Sequence, residues 1–140
     1  MTEQPPNVRS HDIPAGGGPG PADLRRSRVT LAEAMATPIP AGRRAAPVLS
    51  HGSMLVALYA PRGKDEQTPH TQDELYIVAR GSGWFVNGAA RHPFGVGDVL
   101  FVPAGVVHRF DQFTDDFAVW VVFYGPEGGE SRPPADTGPA

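Results

Sequence analysis

The chain has no cysteine among its 140 residues. That excludes a disulfide framework, a thiolate metal site and a cysteine nucleophile. Any bound metal must be held by nitrogen and oxygen. Lysine is almost as scarce: Lys64 stands alone beside eleven arginines, which are scattered rather than gathered into a stripe with interleaved aromatics. With a formal net charge of only −3, nucleic acid is not expected as a partner. Long apolar runs are also missing. The longest, Phe117–Tyr124, has eight residues, far short of a membrane span. The polar Met1–Asp12 segment carries no apolar stretch of a secretory signal. A cytoplasmic protein without a membrane partner is the expectation.

Glycine and proline, by contrast, are plentiful, at 17 and 16 residues. They are the two poorest residues inside a helix, so a mostly helical fold is excluded. Their distribution is uneven. The first 25 residues hold five Pro and four Gly, and the last 16 hold four of each. Neither end shows hydrophobic periodicity. Residues 1–27 and 125–140 therefore read as disordered tails around one domain at 28–124.

Strand signals fill that domain. Ser53–Tyr59 is apolar on both alternating faces, and Glu74–Ala79 is rich in β-formers. Trp84–Val86 and Ala89–His92 flank Asn87-Gly88, a pair suited to the left-handed positions of a type I′ hairpin turn. Asp98–Val102 is stopped by Pro103, Val106–Phe110 is short, and Phe117–Tyr124 closes the domain. Val29–Ala36 fits either a strand or a single helical turn. Short strands with Gly/Pro punctuation predict an all-β sandwich, jelly roll or barrel.

Two of the five histidines stand in settings that suggest chemistry. His70 precedes Glu74 by four residues at the entry to a strand. His108 follows a buried strand and the Pro103-Ala104-Gly105 turn, which sends the chain back so that its imidazole points inward. His11 lies in the N-terminal tail, and His51 and His92 read as surface or structural residues.

Around these residues the sequence resembles the cupin superfamily, in its small single-domain (monocupin) form. His70, three residues, Glu74, six residues and Gly81 match the end of the first cupin motif. Gly97, Pro103, Gly105 and His108 match the second without a gap. Three positions depart: Thr68 stands at the first His of the His-x-His pair, Gly63 is one residue off, and Gln112 replaces the usual Asn. The resemblance implies a single cupin-type β-barrel, a jelly-roll-like double-stranded β-helix. It also implies a divalent metal on His70, Glu74 and His108, with Thr68 and Gln67 the candidates for a fourth ligand position.

Two His and one carboxylate make the facial set of non-haem Fe(II) oxygenases, so Fe(II) and dioxygenase chemistry on a small organic substrate lead. Zn²⁺, Mn²⁺ or Ni²⁺ would suit a metal-assisted isomerase or epimerase. A non-catalytic binding module that has lost the metal is the rival reading. Tyr76, next to Glu74 on its face, Phe110 and Trp120 are the expected substrate-pocket residues, while Phe117, Val119, Val121 and Phe123 are the alternative inward face of the last strand. Trp84 and Phe85 are candidates for a homodimer contact, and a homodimer is expected from the resemblance. If Thr68 occupies the missing ligand position, Thr68→His raises metal affinity markedly. An unchanged affinity in a metal titration would show that this register is wrong.

Overall fold

The computed structural model describes residues 24–131. One short helix, α1 (Leu31–Ala36), precedes eight strands: β1 (Ala46–His51), β2 (Met54–Tyr59), β3 (Asp73–Arg80), β4 (Gly83–Asn87), β5 (Ala90–Phe94), β6 (Val99–Val102), β7 (His108–Asp111) and β8 (Ala118–Tyr124). They form a five-stranded sheet in the order β1-β2-β8-β3-β6 and a three-stranded sheet in the order β5-β4-β7, with antiparallel pairing throughout.

Side-chain parity follows from the register. Tyr76 pairs with Val121, which pairs with Ala57; Glu74 pairs with Phe123, which pairs with Leu55. These odd positions of β8 and β2 share the inner face with Glu74, Tyr76 and Val78. Inside, Phe85, Phe94, Phe110 and Phe117 pack with Tyr76 and Val119, the rings of Phe110 and Phe117 being 4.7 Å apart. Even positions of β8 and β2 face out. There Trp120 and Leu58 join Val48 and Ala34 in a second cluster, covered by α1. Apolar residues on both faces of β2 are thus explained by a core on one side and a helix on the other.

Local chemistry settles the ambiguous Val29–Ala36 segment as one helical turn. Thr30 Oγ1 accepts from Glu33 N–H (3.0 Å) and Glu33 Oε1 accepts from Thr30 N–H (2.8 Å), a reciprocal capping box. β1 lacked a readable signal because Pro47 interrupts it. The strand is tolerated as a sheet edge, with a register shift between Pro47 and Leu49. The hairpin turn falls one residue later than expected. Asn87 still pairs with Ala90, so Gly88-Ala89 form the turn, and only Gly88 takes a positive φ (60°). Asn87 instead donates across to Phe101 O of the other sheet (3.0 Å).

The segments expected as tails begin inside the fold. Leu24 O accepts from Ser50 N–H (2.9 Å) and Arg26 Nε donates to Val48 O (2.7 Å), so the chain enters along β1. Beyond β8, Gly125 N–H donates to Ser53 Oγ (3.0 Å), Gly128 N–H to Thr71 O (2.6 Å) and Glu130 N–H to Asp73 Oδ2 (2.8 Å). The remaining parts of both expected tails, and His11, lie outside the described residues. Among the described residues no helix is long and apolar enough to cross a membrane.

Gly81 shows how tightly the barrel closes. Its φ is 84°, and an added Cβ would lie 2.8 Å from Phe117 Cα and 2.5 Å from Thr114 Oγ1. Gly97 also takes a left-handed φ (92°) but has open space around it. Gly97→Ala should therefore cost only the left-handed penalty of about 1–2 kcal/mol. Gly81→Ala adds a backbone clash and should cost at least about 1 kcal/mol more. Urea denaturation of the two variants checks the order.

Candidate metal centre

The sequence of β3 and the turn before β7 bring three side chains to one point. Glu74 enters on the inner face of β3, and His70 sits on the loop just before it. Asp73 fixes that loop from below: its Oδ1 accepts from Ala104 N–H (2.9 Å), and Gly105 N–H donates to His70 O (2.7 Å). The Pro103-Ala104-Gly105 turn is thereby docked onto the His70 loop, and His108 starts the returning strand. One donor atom each from His70, Glu74 and His108 lies within 4.8 Å of the others. No other such group of His, Asp and Glu occurs among the described residues. His51 and His92 are exposed, on β1 and β5.

The tautomer of His108 follows from its partners. Its Nδ1 is 2.8 Å from Val106 O, which can only accept, so in the neutral ring Nδ1 carries the proton and Nε2 presents a lone pair. Nε2 lies 3.1 Å from Glu74 Oε1 and 3.0 Å from Tyr76 Oη. His70 Nε2 lies 3.6 Å from Glu74 Oε2. Glu74 is 1% exposed, and its Oε1 is buried without a hydrogen-bond partner. A lone pair and an orphaned carboxylate oxygen facing each other in a dry site is the arrangement a cation relieves. The donor set therefore fits a divalent metal.

Electrostatics differ between the two imidazoles. Burial pushes His70 below its ordinary value, Glu74 opposes that shift and His108 reinforces it. For His108, burial also acts downward, but the adjacent Glu74 carboxylate and Val106 O outweigh it, leaving a raised pKa. Burial, aided by Glu74, holds the Tyr76 hydroxyl well above its usual range, so it stays a donor.

The cavity beside this group has a volume of about 270 Å³. His70 and Glu74 line it together with Leu55, Ala57, Tyr59, Gln67, Val121 and Phe123, and with the exposed Thr68, Arg43 and Arg44. Thr68 is exposed in the 61–72 loop, so it lines the cavity but is not buried with the triad. Gln67 is not in a strand, and its inward placement follows from that: Oε1 accepts from Tyr76 Oη–H (2.9 Å) and Nε2 donates to Asp65 Oδ2 (2.8 Å).

The expected pocket residues are placed differently. Tyr76 is fully buried beneath the triad rather than on the cavity wall, and Phe110 lies deeper, 4.8 Å ring to ring from Tyr76. Trp120 is on the wrong face altogether. The β8 register turns it outward against Val48 and Leu58, and Val121 and Phe123 take the wall. Phe85 is core, not a dimer contact, while Trp84 stacks under Arg91 at 3.9 Å. Gln112 has φ 51°, a left-handed conformation to which Asn is better suited.

Sequence reading missed Asp65. Its Oδ2 accepts from Phe110 N–H (2.7 Å), its Oδ1 accepts from Tyr59 Oη–H and from Gln67 N–H (3.2 Å), and so it ties the 61–72 loop to β7 and β2. Burial, aided by that carboxylate, raises the Tyr59 pKa. Nothing in the local Lys64-Asp65-Glu66 run distinguishes it from a solvated charge cluster.

A barrel of two antiparallel sheets, with an inward His/Glu/His group beside a small cavity, defines the class of protein. The family model described as a cupin domain matches residues 55–124, half of the chain, and the chain belongs to that family. An uncharacterized protein of Streptomyces coelicolor is 41% identical over 81 residues, spanning 56% of this chain and 77% of that one. A Cupin 2 conserved barrel domain protein from Salinispora arenicola is similar in structure, with TM-score 0.53, 21% identity and coverage of 72% of this chain and 91% of its own. A conserved Streptococcus pyogenes protein of unknown function has TM-score 0.53 and 13% identity, covering 75% and 94%. Both likenesses concern the fold.

The Tyr76 hydroxyl has one proton and two acceptors, Gln67 Oε1 and His108 Nε2. Gln67 thus offers an alternative that leaves Nε2 free for a metal. Gln67→Leu should lower metal affinity about tenfold, the low end of effects seen for partners of metal ligands. Adding Tyr76→Phe to it should restore the affinity, as read by competition with a chromophoric chelator.

Proposed function

We propose that this cupin holds a divalent metal ion on His70, Glu74 and His108 and is an enzyme acting on a small organic substrate, with dioxygenase chemistry the leading reading. The observation that carries it is the buried, unpartnered Glu74 Oε1 opposite the free lone pair of His108. When bound, Fe(II) on two imidazoles and one carboxylate supplies open positions for substrate and O₂, whereas Zn²⁺, Mn²⁺ or Ni²⁺ supplies a Lewis acid suited to isomerisation or epimerisation.

The chain's own residues have separate tasks. Val106 O fixes the His108 ring through Nδ1–H. Leu55, Val121 and Phe123 keep the wall apolar, which limits water beside the donors. The Tyr76 hydroxyl holds a proton beneath the donor set, shared between Gln67 and His108. The rival reading is a metal-free binding module, in which His70 and His108 act only as hydrogen-bonding groups.

Metal analysis of protein purified without a metal-affinity tag separates the two. About one divalent ion per chain is expected in the wild type, falling at least tenfold in His108→Ala and Glu74→Ala. Substoichiometric metal that His108→Ala leaves unchanged overturns the proposal. If the ion is iron, oxygen uptake on addition of candidate substrates tests the dioxygenase branch.

A further inference from the structure

The opening of the cavity has a chemistry unlike its walls. Gly42, at φ 79°, turns the chain ahead of β1, and Arg43 N–H closes that turn on Pro40 O (3.0 Å). Two residues later Ala45 packs on the core, and Ala46 pairs with Leu58. Arg43 and Arg44 thus sit on a short link pinned at both ends, and both line the cavity.

Neither guanidinium is consumed by the fold. Among the described residues Arg44 approaches only Glu66, at 3.8 Å, and Glu66 is shared with Lys64 at 3.6 Å. Arg43 makes no ion pair among the described residues. A second, more open cavity of about 330 Å³ shares Arg44 and Tyr59 with the first and is also lined by Arg62, Lys64 and the acid Glu66; Arg62 donates to Ala60 O, Pro61 O and Phe117 O, which leaves Arg44 and Lys64 facing Glu66. Asp65, on the same loop as Glu66, is committed to Tyr59, Gln67 and Phe110, and Glu74 lies buried at the donor set. Four of the chain's twelve basic residues, Arg43, Arg44, Arg62 and Lys64, thus line these two adjoining cavities. A neutral apolar ligand would desolvate two guanidiniums for nothing in return, whereas an anion pairs with them. Guanidinium also matches the planar fork of a carboxylate better than an ammonium does.

We propose that the ligand of this pocket is a small organic carboxylate, oriented with its charged end on Arg43 and Arg44 and its other end toward His70, Glu74 and His108. The inference rests on the reading of this cavity as the substrate pocket, and it makes the arginine pair the element that selects charge. Arg43 and Arg44 are positioning residues for the ligand and hold no metal.

The test compares butyrate, succinate, benzoate and 4-hydroxybenzoate with their primary amides. Binding to zinc-loaded full-length protein is measured by ligand-observed NMR, and zinc content is measured on the same samples. At least one carboxylate should bind about tenfold more tightly than its amide, the scale of one hydrogen bond to a charged group. Arg43→Gln/Arg44→Gln should bring it down to the amide's affinity. The amide's affinity, the zinc content and the melting temperature should not move, since both side chains are exposed. The preference should also weaken as salt is raised. If no carboxylate outbinds its amide, or if the double variant keeps the preference, the proposal is overturned. A protein that holds no zinc yet shows the arginine-dependent preference would sink the metal reading and leave this one standing.

Discussion

A carboxylate inside an apolar barrel is the constraint on which the rest of this structure turns. Glu74 is as buried as the phenylalanines around it, and a buried carboxylate is costly unless other groups answer it. Its neighbours are arranged accordingly. The return of the chain through Pro103 and Gly105 brings in one imidazole, and the docked loop before β3 brings in the other. The Tyr76 ring spaces them from the aromatic core below. Without something between Glu74 and His108 the arrangement has a polar atom left over, and that remainder is the physical argument for an ion.

Asp65 performs the complementary task outside the barrel. The 61–72 segment contains no strand, so it has no ladder to hold it. One carboxylate substitutes for that ladder by accepting from a tyrosine hydroxyl, a glutamine backbone and a β7 amide. Gln67 is then pinned where its side chain reaches Tyr76. The chain of contacts from Tyr59 through Asp65 and Gln67 to Tyr76 and His108 couples the cavity wall to the donor set by way of a loop without regular secondary structure.

Much of this was legible in advance, and what was not has identifiable causes. The strands of the domain core were readable because alternation and Gly/Pro stops repeat along the chain. His70, Glu74 and His108 stood out because each lies at the mouth of a strand. Trp120 was misplaced because β8 is apolar on both faces: with a core on one side and α1 on the other, hydrophobicity carries no parity, and only pairing with β3 decides it. β1 was hidden by Pro47. Asp65, Arg43 and Arg44 were invisible for a different reason. Their roles depend on which loops end up beside each other, and a charged residue in a loop looks the same whether it faces solvent or a cavity.

The stretch shared with the family runs from residue 55 to 124, and the donor set lies wholly within it. Arg43 and Arg44 lie before it, on the link into β1, and the segment from Gly125 to Glu130 that braces Thr71 and Asp73 lies after it. The two arginines proposed to receive the ligand are therefore written in a different part of the chain from the donor set, while Gln67 and Thr68 of the same cavity lie within the shared stretch. Under the proposed reading, substitution around Gly42 would alter what the cavity admits while the three donors and the strands that carry them stay in place.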